Sequence, residues 1–103
     1  MKTTTAIILA MMIGSPALAQ ITPLAGATPG TTCECYDGGF LFGSYNYTPQ
    51  NSAQSETLQF KCGLQGWEQA FNDGLYEGYK DYLVSKGDYS LGMGDGFCPY
   101  SNY

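Results

Sequence analysis

The residues able to do chemistry in this chain are four cysteines (Cys33, Cys35, Cys62, Cys98) and nine carboxylates; there is no His and no Arg. Without His, the Ser-His-Asp and Cys-His schemes and every His-ligated metal site fall away. Without Arg, and with Lys only at 2, 61, 80 and 86, phosphoryl transfer has no clamp. No Gly-rich loop runs into Lys-Ser/Thr to cradle phosphates. Paired carboxylates remain, as in glycoside hydrolysis. That chemistry needs a deep cleft, which a chain of this size seldom builds around acids on an exposed helix face. The expectation is a protein that is not an enzyme, with no cofactor and no metal.

The cysteines therefore read as structural. Cys33 and Cys35 cannot bridge each other, because one intervening residue gives the wrong Cα separation and torsion. Each must reach one of Cys62 and Cys98, and the preferred arrangement is Cys35–Cys62 with Cys33–Cys98. Zinc is the competing use of four thiolates, but its ligand pairs usually stand two to four residues apart, and Cys33-Glu34-Cys35 is tighter. A Cys-x-Cys pair would suit Cu(I). Asp88 and Asp95 could offer oxygen to calcium, yet the alternating acids of an EF-hand are missing. Asn46-Tyr47-Thr48 fits the N-glycosylation pattern, with Pro49 directly behind it.

Disulfides need an oxidising compartment, and the amino terminus supplies a route to one. Lys2, the apolar run from Ala6 to Ile13, the breakers Gly14 to Pro16 and the small residues of Ala17-Leu18-Ala19 form a signal peptide over 1–19. The apolar run is too short to span a bilayer. Cleavage after Ala19 would leave a chain of 84 residues from Gln20 to Tyr103, with three Lys against nine acids and a formal charge of −6. That balance argues against nucleic acid and anionic membrane surfaces as partners. A cationic partner fits it, and so does a plain solvated acidic surface. The expected location is secreted or periplasmic, with no membrane span in the mature chain.

The elements that must position these residues follow from periodicity and turn chemistry. Residues 20–32, with two Pro, two Gly and four Thr, read as a flexible arm. Residues 33–103 form one disulfide-stabilised domain. Asp37-Gly38-Gly39 reads as the turn of a hairpin over 32–47. Thr57 to Cys62 alternates apolar and polar as a half-buried strand, although the same segment could belong to a helix starting at Ser52. Gly66 to Lys86 has helical period, with Leu64, Trp67, Phe71, Leu75, Tyr79 and Leu83 in an apolar stripe. Glu68, Asp73, Glu77 and Asp81 fall on the outward face. Gly87 suits the C-cap, and a Gly-rich tail follows to Cys98 and Tyr103. The fold expected is α+β: a three-stranded antiparallel sheet, one packed helix and a Gly-rich C-terminal tail.

Two surfaces stand out as candidates for binding. Gly66, Ala70, Gly74 and Gly78 repeat a small residue at every fourth position. Each helix Gly costs about 1 kcal/mol relative to Ala, so some close contact must offset it. Either a partner element or the domain's own sheet or tail could fill such a groove. Tyr36, Tyr45 and Tyr47 would share the outer face of the hairpin, where Tyr brings rigid area with a polar tip. The expected function is an exported interaction or structural module that binds an unknown protein or envelope component, or itself, through the Gly-lined groove or the Tyr face. The alternative is an acidic inhibitor or immunity-type protein that blocks a cationic exported enzyme.

Overall fold

A computed structural model describes residues 28–100. The expected signal peptide over 1–19, residues 20–27 of the expected arm, and residues 101–103 lie outside the described residues. The described chain is all-helical: α1 spans Thr32–Ser44, α2 spans Ala53–Leu64 and α3 spans Glu68–Ser85, followed by an irregular segment to Tyr100. No strand occurs among the described residues. The expected three-stranded antiparallel sheet is therefore corrected to a three-helix fold.

The hairpin expected over 32–47 is α1. Its start is fixed by Thr31, whose hydroxyl accepts from the Glu34 N–H at 3.1 Å, while the Glu34 carboxylate accepts from the Gly30 N–H. The first contact satisfies an amide that a helix start leaves open, and the second ties the residue before the cap to the first turn. Asp37-Gly38-Gly39 resembles turn chemistry, yet Gly38, Gly39 and Gly43 are all buried inside the helix. The expected strand at 57–62 lies within α2, which begins after Ser52, whose hydroxyl accepts from the Ser55 N–H. Leu58 and Cys62 are buried while Phe60 is 65 % exposed. Burial at i and i+4 is helical; a strand would have buried all three.

All three helices end the same way. The residue after the C-cap has positive φ: Asn46 (58°), Gly66 (79°) and Gly87 (87°). Each end closes with two bonds, reaching back three and five residues: Asn46 N–H to Gly43 O and Tyr47 N–H to Phe42 O, Gly66 to Gly63 and Trp67 to Cys62, Gly87 to Val84 and Asp88 to Leu83. This paired pattern is the Schellman motif. Gly66 thus ends α2 and takes no part in the small-residue row of α3.

The packing follows from glycine. Gly39 lies against the carbonyl of Phe71 and Gly43 against that of Leu75; in return Gly74 lies against the carbonyl of Tyr36 and Gly78 against that of Phe40. The contacts advance together along both helices, so α1 and α3 run in the same direction with their backbones touching. α2 carries the chain back between them. Its last turn is tied to the first turn of α1 by the Cys35–Cys62 disulfide, and Gln59 Nε2 donates to Asn72 Oδ1 of α3 at 3.0 Å. The core is small: Cys35, Tyr36, Phe42, Leu58, Cys62, Ala70 and Phe71, flanked by half-buried Leu41, Trp67, Leu75, Cys98 and Tyr100. Leu64, expected on the apolar stripe, is 71 % exposed because it belongs to α2.

After α3 the chain doubles back along the groove between α1 and α3. Gly94 rests on the Glu77 carbonyl, and Gly96 faces the Phe40 ring. Cys98 then bonds to Cys33. Both bridges match the preferred pairing, and none of the described cysteines is free.

Candidate functional site

Helical spacing places Asp73, Glu77 and Asp81 in a row on α3, one turn apart. These are three of the four acids expected to face outward. In the fold they receive the C-terminal segment: Tyr100 Oη donates to Asp73 Oδ2 at 2.6 Å, Asp95 N–H to Glu77 Oε1 at 2.9 Å, and Gly94 N–H to Asp81 Oδ1 at 2.8 Å. From α1, the Tyr36 hydroxyl donates to the Asp95 carbonyl. Hydrogen bonds to ionised acceptors are stronger than neutral ones. With Cys33–Cys98, they fix residues 94–100 at five points.

Within the pinned stretch Phe97 is exposed, and the chain leading into it exposes further large side chains. Tyr89 is 67 % exposed, Leu91 45 %, Met93 74 % and Phe97 83 %. Beside it lies a cleft of about 500 Å³ walled by Tyr36, Asp73, Tyr76, Glu77, Met93 and Asp95. Lys80 stands at its edge, paired with Glu77 at 2.9 Å. A second groove, of about 380 Å³, is almost wholly apolar and runs between Gly43, Asn46, Leu75, Tyr76 and Tyr79.

Tyr36 is the buried donor of this arrangement, 2 % exposed. Burial pushes its hydroxyl up to about 12, and the carboxylates of Glu77, Asp95, Asp73 and Asp37 push the same way. The fold therefore favours the neutral phenol, whereas an unfolded Tyr ionises near pH 10. This contribution is complete below about pH 10 and is lost as pH rises through about 12. It amounts to about 2–3 kcal/mol for a shift of this size. The urea midpoint should fall across that window. Tyr36→Phe should start lower, for want of its hydrogen bond, and decline less steeply. Equal slopes for the two proteins would contradict this assignment.

The expected binding residues end up in different places. Tyr36 is in the core, so it shares no face with Tyr45 and Tyr47. Those two stack on each other with ring centroids 6.1 Å apart at the end of α1. The Tyr face fails because the sheet that would have carried it is a helix. Ala70, Gly74 and Gly78 form a row on α3, and α1 fills the groove over Gly74 and Gly78. The side chains of Asp88 and Asp95 accept from the Ser90 and Phe97 amides in local turns. Among the described residues no group of three or more His, Cys, Asp or Glu comes together to hold a metal ion, and no helix is long and apolar enough to cross a membrane.

The fixed, exposed C-terminal segment escaped sequence reasoning, which saw only a Gly-rich tail. The signal available was Gly94 and Gly96, alternating with Met93, Asp95 and Phe97. Small residues at alternate positions let the backbone sit on a helix while their neighbours point away. Compared with protein-family models, curated proteins and solved structures, the chain matches none.

Proposed function

We propose that the protein is a small interaction module of the periplasm or extracellular space, braced by two disulfides and without catalytic chemistry of its own. The observation that carries the reading is the C-terminal segment. A disulfide and four hydrogen bonds hold residues 94–100, yet Phe97 within them and Met93 directly before them stay in solvent. Fixing a segment before it binds removes most of the ordering cost of association. Exposed apolar side chains grouped on one element mark interaction sites. The two bridges suit an oxidising compartment. The glycine row, occupied by α1, is no longer the surface in question.

The second reading, an acidic inhibitor or immunity-type protein, is favoured by the carboxylates gathered around the same segment. Both readings are tested by isolating the disulfide-bonded protein from the host's exported fraction and measuring the mass of its complexes. A partner in fixed stoichiometry, released by Met93→Ser/Phe97→Ser, is the expected result. Protein that is monomeric and unaccompanied in every exported fraction would count against a binding role. An enzyme partner whose activity falls on binding would select the inhibitor.

A further inference from the structure

The charge around the C-terminal segment limits what can cover it. From residue 73 to 100 the chain holds five carboxylates and two lysines. Lys80 is engaged by Glu77 at 2.9 Å, and Lys86 sits over the Tyr82 ring at 5.5 Å. Asp73, Glu77 and Asp81 lie under the segment, while Asp88 and Asp95 belong to it. Each of these acids faces a backbone amide or a Tyr hydroxyl, and one of them has a lysine. Hydrogen bonds from Ser90 lower the Asp88 carboxyl from its ordinary value.

Resting on the binding-module reading above, we infer that residues 88–100 dock into a cationic apolar groove of a partner protein, with Met93 and Phe97 as anchors and the carboxylates at the rim. The anchors are the two most exposed large hydrophobics of the segment, at 74 % and 83 %. Buried apolar anchors supply most of an interface's affinity, while rim charges set encounter rate and partner choice. A second copy of this chain would bring the same acidic face against itself, and like charges in close contact are repelled. An anionic lipid surface would be repelled for the same reason. The almost apolar groove at Leu75 and Tyr79 carries no charge to choose among occupants, so only the C-terminal segment specifies its partner.

The test uses the intact, disulfide-bonded protein as target for a displayed library of random peptides. Enriched peptides should carry Arg or Lys interspersed with apolar residues. Their affinity should fall about tenfold or more on Met93→Ser/Phe97→Ser, and should weaken as salt is raised. Asp88→Asn/Asp95→Asn keeps the oxygens that cap the local turns and deletes two charges, so it should weaken the basic peptides several-fold at an unchanged melting temperature. Phe60→Ser/Leu64→Ser, on exposed positions of α2, should leave binding intact. Neutral or acidic peptides held by Met93 and Phe97 would overturn the cationic partner and leave the binding module standing. Peptides lost only with Phe60 and Leu64 would overturn the docking face. A dimer abolished by Phe97→Ser would replace the partner with a second copy. No enrichment at all would count against the face and the module together.

Discussion

Replacing Cys35 and Cys62 by Ala should leave the protein largely unfolded at 25 °C. The bridge closes a loop across a sequence separation of 27. Chain entropy alone assigns such a loop about 3.6 kcal/mol. A domain of this size has a net stability of only about 4–12 kcal/mol. Both sulfurs lie at zero exposure in the core, against Tyr36, Leu58 and Phe71, so their removal also leaves a void. Replacing Cys33 and Cys98 opens the longer loop, separation 65, for which the same relation gives about 4.3 kcal/mol. The loops are nested, so the two losses should not add. They should also differ in kind. Without Cys33–Cys98 the helices keep each other, and amides 94–98 should lose hydrogen-exchange protection first. Either double variant melting within a few degrees of the wild type would contradict the assigned role of its bridge.

The second large effect concerns the glycines between α1 and α3. On helix propensity alone, Gly74→Ala and Gly78→Ala should each stabilise by about 1 kcal/mol. The fold reverses that sign. A Cβ at Gly74 would meet the carbonyl of Tyr36, and its next contact is the Phe40 backbone nitrogen at 2.9 Å. A Cβ at Gly78 would meet the Phe40 carbonyl in the same way. These are backbone atoms of another helix, and no rotamer change can move them. The helices must separate along their whole contact, which also strips the cover from Phe71 and Tyr36. Overpacking costs about 1–3 kcal/mol where side chains can adjust, and more where they cannot. Each substitution should therefore cost about 3 kcal/mol or more, a fall of more than about 10 °C in melting temperature for a domain of this size. Gly39→Ala, facing the Phe71 carbonyl from α1, should behave alike.

This glycine pairing also shows what was legible in the sequence. The 3.6-residue period of α3 and its end at Gly87 could be read directly, because an amphipathic helix declares itself over five turns. The bridges could be narrowed by geometry, since Cys33–Cys35 is sterically poor. The small row Ala70-Gly74-Gly78 demanded a close neighbour, and the neighbour proved to be part of the same chain. What misled was α1. Asp37-Gly38-Gly39 is good turn chemistry when read locally. The competing signal was longer in range: Cys35, Gly39 and Gly43 repeat the four-residue spacing of Ala70, Gly74 and Gly78. Two rows of small residues at one period fit each other as helix faces, whereas either row alone fits several partners. Thr31 and Glu34, three apart, carry the start signal of a helix that the turn reading passed over. Tyr36 went with the hairpin for the same reason, and its burial became visible only once α1 and α3 were side by side.

The measurement that bears most directly on the backbone-to-backbone pairing of α1 and α3 is the urea stability of Gly74→Ala set beside that of Gly63→Ala. Both positions lie in helices. At Gly63 a new Cβ would meet only the end of the Glu68 side chain, at 3.4 Å, so alanine there should gain a few tenths to about 1 kcal/mol. The expected result is opposite signs: Gly63→Ala at or above the wild type, and Gly74→Ala about 3 kcal/mol or more below it. If both substitutions stabilise the protein by similar amounts, Gly74 faces open space and the two helices do not pack as described.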